Sequence, residues 1–139
     1  MSVKQDTLIR LVEHQKTVYL GANSAEGYPQ IKAMLAPRLH EGLQTFYLTT
    51  NTSSAHVAQY RLDARGCLYF CDQRYFRALM LEGTVDILED RLIKERLWQD
   101  GDERYYSQGV TDPDYCVLRF NAQSGRFYSN FHSENITIS

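Results

Sequence analysis

A run of hydroxyl side chains stands directly before a predicted helix, in the stretch TFYLTTNTSSAHVAQY (residues 45–60). The hydroxyls belong to Thr49, Thr50, Thr52, Ser53 and Ser54. Backbone N–H groups at a helix N-terminus have no intrahelical partner and carry partial positive charge, so this position suits a phosphate. Thr50 and Ser54 could add hydrogen bonds, and His56, one turn into the helix, could add charge if protonated.

The same hydroxyl cluster has a second explanation. Thr, Asn and Ser are the preferred residues of turns and helix N-caps, and most such clusters hold no ligand. The sequence contains neither a Walker glycine-lysine pattern nor GxGxxG, which argues against a nucleoside triphosphate or a Rossmann dinucleotide. On these residues alone, helix capping and anion binding both remain open.

Other patterns with chemical meaning are missing from the sequence. His14, His40 and His132 are scattered, and no HExxH or Cys–His spacing occurs. Cys67 and Cys71 fall in one predicted strand, where four residues span roughly 13 Å, too far for one disulfide or one metal ion. We therefore predict no metal site, and no triad or pair of carboxylates identifies a catalytic residue.

Length and charge restrict the class of protein. A chain of 139 residues can bury one core, so we assign residues 1–139 to a single domain. The net charge of -2 argues against a nucleic-acid-binding protein. No stretch approaches the roughly 18 apolar residues of a membrane span, and the N-terminus lacks the apolar region of a signal peptide. We expect a cytoplasmic protein.

Hydrophobic periodicity predicts three helices. The first covers residues 3–15, with Ser2 and Gln5 as a capping box, and the second runs from Ser54 to Leu62. The third is DRLIKERLW (residues 90–98), with Asp90 near its start. Its Trp98 either packs in the core or reaches a binding cleft.

Strands account for most of the remaining chain. The predicted strands are TVYLGANS (17–24), one around Ile31–Leu35, TFYLT (45–49), GCLYFCD (66–72), Tyr75–Leu88, and the pair YCVLRF (115–120) and RFYSN (126–130) joined through a Ser124-Gly125 turn. Gly83, inside the long strand, indicates a bulge or a close backbone approach. The pattern favours a mainly β fold, a small six-stranded antiparallel barrel with flanking helices, but it cannot fix the strand order.

Several segments together carry a resemblance to a known family. They are LGANSAEGYPQIKAM, FYLTTNTSSAHV, ARGCLYFCD, YFRALMLEGTVDILED and GVTDPDYCVLRF, and they span nearly the whole chain. In order and spacing they resemble the FMN-binding split-barrel family, the pyridoxamine 5'-phosphate oxidase-like group, and in particular its short general-stress-protein-type members. The resemblance implies a six-stranded antiparallel split β-barrel and a homodimer with FMN in the subunit interface.

The resemblance also implies which residues bind FMN. The family's phosphate pattern places Thr50 at a strand end and Ser54 four residues later, with Ser53 in the same turn. His56 stands where a lysine or arginine is commoner, and Lys32 stands where arginine is usual. Lysine lacks the bidentate fork of arginine, and histidine is charged only near or below its pKa.

The other residues implied by the resemblance lie along two strands. On the second strand, Ala33 and Met34 would line the flavin ring. On the third strand, Tyr47, Leu48 and Thr49 would offer backbone groups to the polar edge of the ring.

The function implied is that of an FMN-dependent oxidoreductase with an unidentified substrate, a reductase using a nicotinamide donor. True pyridoxamine-phosphate oxidases carry a C-terminal segment with basic residues, which the ending NFHSENITIS does not resemble. Two alternatives remain open: a non-catalytic flavin-binding or stress-response protein, and a relative that binds a deazaflavin in the same phosphate pocket.

Overall fold

The computed structural model describes residues 2–138, and this part of the chain is mainly β with helices at its margins. The helices are α1 (Gln5–Glu13), α2 (Ala55–Leu62) and α3 (Arg91–Leu97), and two short 3-10 helices cover Asp102–Arg104 and Gly109–Thr111. The strands are β1 (Thr17–Asn23), β2 (Pro29–Leu35), β3 (Leu39–Glu41), β4 (Thr45–Asn51), β5 (Arg65–Asp72), β6 (Arg77–Leu88), β7 (Tyr115–Ser129) and β8 (His132–Ile136).

All the strands join one antiparallel sheet that curls into an incompletely closed barrel. The order is β2-β1-β5-β6-β7-β4-β3, and β8 pairs with β7 outside this path. β2 and β4 approach each other without ladder hydrogen bonds, so the barrel is split along this seam. The predicted fold class is confirmed, although the described chain has eight strands rather than six.

One predicted turn is wrong. Ser124 and Gly125 do not end a strand, because β7 runs unbroken from Tyr115 to Ser129 and pairs there with Glu82 and Leu81. A Cβ on Gly125 would lie 2.8 Å from Ile136, so this glycine serves close packing. The reversal comes later, at Asn130 and Phe131, which both have positive φ.

The predicted capping box of the first helix is also wrong. α1 begins at Gln5 with Lys4 as its N-cap, and no side chain caps it. Instead, the N–H of Val3 donates to the Glu134 carboxylate of β8, at 3.2 and 3.0 Å from the two oxygens. Since this contact joins opposite ends of the chain, local spacing could not reveal it. The third helix behaves as expected, because Asp90 accepts from Ile93 N–H at 3.3 Å.

The core lies inside the barrel, where alternate residues of each strand meet. On β1, Val18, Leu20 and Ala22 alternate along the strand and are buried, and the Leu8, Leu11 and Val12 face of α1 is buried in the same core. On β2 neither face is buried as a whole, because only Met34 is buried and the rest of the strand is exposed. β2 is therefore an edge strand with most of its surface free within one chain.

A smaller second core fixes the insertion between β6 and β7. Tyr106 and Tyr115 are buried there with their ring centroids 5.0 Å apart, and Trp98 packs edge-on against Tyr115 at 5.2 Å. Trp98 is thus a packing residue. Arg38 joins this insertion to the chain between β2 and β3, since its guanidinium forms a buried ion pair with Asp102.

Gly83 confirms the expected irregularity in β6. The β6–β7 register shifts between Glu82 and Gly83, and a Cβ on Gly83 would lie 2.0 Å from the carbonyl oxygen of Asn121. No side chain fits in that space, so the close approach of the two strands requires glycine.

Candidate functional site

The turn between β4 and α2 leaves the N-terminus of the helix open. Ser54 is the N-cap residue by backbone geometry, but its hydroxyl donates to the Asn51 carbonyl at 2.7 Å and does not cap the helix. The first-turn N–H groups have no intrahelical partner, and no described side chain caps them. Helix capping by these hydroxyls is therefore not the arrangement found, and the free N–H groups are available to an anion.

His56 lies beneath this open helix end. Its side chain is 5% exposed, and its Nε2 lies 3.0 Å from Thr50 Oγ1 and 3.5 Å from Ser54 Oγ. The other ring nitrogen, Nδ1, is buried without a hydrogen-bond partner among the described residues. A buried polar atom normally has a partner, so this nitrogen marks a place where a ligand group or water belongs.

Tyr60, one turn further along α2, holds the helix in place. Its ring packs edge-on against His56 at 6.3 Å, and its hydroxyl donates to the Gly21 carbonyl of β1 at 2.7 Å. Because α2 is only eight residues long, its orientation depends on such tertiary contacts rather than on intrinsic helix stability.

Lys32 comes to the same place from β2. It pairs in register with Leu20, so its side chain is on the inner face of the barrel at the open seam. A pocket of about 270 Å³ lies between β2 and α2. Its lining residues are Leu20, Gln30, Ile31, Lys32, Ala55, His56 and Gln59.

The charge of this pocket comes from Lys32 at neutral pH. Burial, as the larger cause, and the nearby ammonium of Lys32 together lower the pKa of His56 to about 4. His56 is thus neutral at pH 7 and acts there as a hydrogen-bonding ring. The positive charge that His56 would add if protonated is therefore absent near neutrality.

On β4, the three residues expected to offer backbone groups differ in whether those groups already have hydrogen-bond partners. The Tyr47 carbonyl already accepts from Arg38 N–H at 2.9 Å, and Leu48 is fully buried and pairs with Leu118 of β7. Backbone groups point alternately to the two sides of a strand, so those of Thr49 face the same side as those of Tyr47. That side is unpaired at Thr49, because β3 ends its pairing at Tyr47.

On β2, the expected residues fall on two faces. Met34 is buried on the inner face, two residues from Lys32. Ala33 is on the opposite, outer face, in register with Tyr19, so only its backbone is close to the seam.

Asp114, whose local sequence indicates only a turn, holds the turn before α2. The Asp114 carboxylate accepts from Ser53 N–H at 2.8 Å, so this N–H is not free for an anion. The Ser53 hydroxyl and N–H, together with the Asn51 amide, hold the pKa of the Asp114 carboxyl below its usual value. Asp114 sits beside this turn because β7 pairs with β4, and the sequence alone could not supply that pairing.

No helix among residues 2–138 is long and apolar enough to cross a membrane. The same residues contain no group of three or more His, Cys, Asp or Glu side chains placed to hold a metal ion.

Comparison with known proteins identifies the family. The family model for pyridoxamine 5'-phosphate oxidase matches residues 5–129. The chain therefore belongs to the pyridoxamine 5'-phosphate oxidase family. No protein with a curated description matches it.

Solved structures agree with this assignment. A protein from Clostridium acetobutylicum, described as related to general stress protein 26 of B. subtilis and of the pyridoxinephosphate oxidase family, is 44% identical, with a TM-score of 0.88 over 98% of this chain and 97% of that one. An FMN-binding protein from Nostoc punctiforme is 10% identical, with a TM-score of 0.75 and full coverage of both chains. A heme-binding protein from Mycobacterium smegmatis is 15% identical, with a TM-score of 0.76 over 99% of this chain and 59% of that one. The last two show a shared fold.

Proposed function

We propose that this protein is a flavoprotein that binds FMN with the phosphate at the N-terminus of α2. The observation that carries the proposal is the pocket between β2 and α2. One lysine, a buried histidine with an unpartnered nitrogen, and an uncapped helix N-terminus all meet there. Each of these groups suits a phosphate, and the family includes proteins described as FMN-binding.

The residues present fit a phosphate monoester. Lys32 supplies positive charge, the first turn of α2 supplies N–H donors, and His56 supplies a ring nitrogen that otherwise lacks a partner. The open backbone edge at Thr49 would bind the polar edge of a flavin ring. Pockets that hold ligands of this size span about 300–1,000 Å³, so the roughly 270 Å³ found here suits the phosphate and needs additional walls for the ring.

A second copy of the chain would supply those walls. The outer faces of β2, β1 and β5 form one surface whose only charged side chain among these strands is Arg65, at the start of β5, and we call the uncharged part of it the outer face. It consists of Ile31, Ala33, Leu35, Thr17, Tyr19, Gly21, Cys67, Tyr69 and Cys71. Ile31 is 77% exposed and Leu35 60% exposed, and two large apolar residues exposed on the same face of an edge strand are typical of an interaction surface. We propose that this face forms a homodimer with FMN bound in the interface.

When FMN is bound, the flavin supplies the redox chemistry. The residues of this chain bind and orient it: Lys32 and α2 hold the phosphate, and the β4 edge at Thr49 sets the ring position. The proposed activity is an FMN-dependent oxidoreductase of unidentified substrate, with a nicotinamide as electron donor. No general acid or base is required of the pocket for this assignment.

A non-catalytic flavin carrier is the second candidate. It is favoured by one observation, that the titratable groups lining the pocket are Lys32 and His56, both assigned to the phosphate. Steady-state oxidation of NADH or NADPH by the FMN-loaded protein, with an added electron acceptor, separates the two functions. Turnover above free FMN supports the oxidoreductase, and turnover equal to free FMN supports the carrier.

The test of the binding proposal is a titration of the purified protein with FMN. Visible absorption should show shifted flavin bands with saturation at one FMN per chain, and mass analysis should identify FMN as the released molecule. A deazaflavin titrated in parallel tests whether the same pocket takes that ring. A protein that changes the spectrum of neither compound would overturn the proposal.

A further inference from the structure

Asp114 binds three consecutive residues of the turn between β4 and α2. One carboxylate oxygen accepts from Ser53 N–H at 2.8 Å, and the other lies 3.4 Å from the Asn51 amide nitrogen. The Asp114 carbonyl accepts from Thr52 N–H at 2.8 Å. A single residue therefore determines where this turn lies relative to β7.

Asp114 is itself fixed from outside the turn. Its N–H donates to the Asp112 carboxylate at 2.9 Å, which also accepts from Gln108 N–H at 3.2 Å. The buried ammonium of Lys94 in α3 donates to the Asp112 carbonyl at 3.1 Å. The insertion between β6 and β7 thus provides a rigid support that ends at Asp114.

We infer that Asp114 is a positioning residue for the cofactor phosphate, an inference that rests on the proposed FMN site. The turn it holds immediately precedes α2, so its location sets where the first-turn N–H groups point. A carboxylate repels a phosphate, and its charge therefore works against binding. What Asp114 contributes is geometry, through the hydrogen bonds that its carboxylate oxygens accept.

Two substitutions separate geometry from charge. Asp114→Asn keeps an oxygen that can accept from Ser53 N–H and removes the negative charge. Asp114→Ala removes both. We expect Asp114→Ala to weaken FMN binding about tenfold, because a mobile turn no longer presents the helix N–H groups together. We expect Asp114→Asn to bind FMN as tightly as the wild type or more tightly.

Riboflavin distinguishes this role from a general structural one. It has the same ring and ribityl chain but no phosphate, so loss of the phosphate site should leave its affinity unchanged. Both ligands are titrated by quenching of flavin fluorescence, into each variant and the wild type. Asp100→Ala, which removes an exposed carboxylate of the same insertion, is the matched control and should change neither affinity.

The outcomes are distinct. Weaker FMN binding with unchanged riboflavin binding in Asp114→Ala, restored in Asp114→Asn, supports the inference. Equal weakening of both ligands, or no change in either, overturns it while leaving FMN binding by the wild type intact. A wild type that does not bind FMN instead overturns the proposed function itself.

Discussion

His56 Nε2 lies 3.0 Å from the Thr50 hydroxyl, while the Nδ1 atom of the same ring is buried without a partner. Thr50 lies next to the last residue of β4 and His56 is the second residue of α2, so this contact ties the helix to the strand that precedes it. The ring is buried, and the nearby Lys32 ammonium disfavours a second positive charge. The structure is therefore built around a neutral imidazole.

The first prediction concerns stability against acid in the flavin-free protein. The folded-state pKa of His56 is about 4, below its ordinary value of 6.5. As the pH falls from 6.5 toward 4, His56 becomes protonated in the unfolded chain but stays neutral in the folded chain. Protonation therefore favours the unfolded state, and the stability associated with neutral His56 is present above pH 6.5 and is lost between pH 6.5 and pH 4. At pH 5 the loss is on the order of 2 kcal/mol relative to pH 7.

Urea unfolding at pH 7 and pH 5 measures this loss. His56→Gln should show a smaller difference between the two pH values than the wild type, whatever its stability at pH 7. His132→Gln, which changes an exposed histidine on β8, should retain the wild-type difference. Identical pH dependence in the wild type and His56→Gln would contradict the buried neutral state.

The second prediction concerns the charge in the pocket. Because His56 is neutral near pH 7, Lys32→Ala should weaken FMN binding by about tenfold, equivalent to about 1.4 kcal/mol. Binding of riboflavin, which has no phosphate, should be nearly unaffected. Lys16→Ala, at an exposed lysine before β1, is the control and should bind FMN like the wild type. If Lys32→Ala lowered both affinities equally, the phosphate would have to lie elsewhere.

The strand, turn and helix that carry the candidate phosphate site are predictable from the sequence, whereas the free backbone groups at the candidate ring site are not. Strand–turn–helix chemistry is local, so the spacing of Thr50, Ser54 and His56 could be read directly from the chain. Which backbone groups of β4 remain free depends on β3, which covers Tyr47 and stops before Thr49. No local pattern carries that information.

Long-range strand pairing also explains why some predictions about the fold were wrong. Glycine is typical of turns, yet Gly125 lies inside β7, where it pairs with both β6 and β8. The close packing of Ile136 against it requires a glycine at this position. Asp114 similarly carries a turn signature, and only the pairing of β7 with β4 brings it to the candidate site. The alternation of apolar and polar residues predicts where strands lie and which side chains share a face. It does not predict which strands pair with one another.

The third prediction tests the close approach at Gly83. Gly83→Ala places a methyl group 2.0 Å from the Asn121 carbonyl oxygen, so β6 or β7 has to move. We expect a loss of at least about 3 kcal/mol in the free energy of unfolding, measured by urea denaturation. Gly27→Ala is the comparison, since its φ of +89° is strained for alanine but nothing lies within 4 Å of the added carbon. It should cost only about 1 kcal/mol, and equal losses in the two variants would argue against a steric cause.

The last prediction tests the proposed homodimer through the outer face. Charges placed on this apolar surface would have to be desolvated in an interface, at a cost that a dimer of ordinary affinity cannot offset. The double variant Ile31→Lys, Leu35→Lys should therefore run as a monomer in light scattering, while the wild type runs as a dimer.

Leu92→Lys, at an apolar residue of α3 that is 80% exposed outside the outer face, should remain dimeric. Because neither Ile31 nor Leu35 is buried within one chain, both variants should keep the stability of the folded monomer. A double variant that still runs as a dimer would place the subunit contact on another surface.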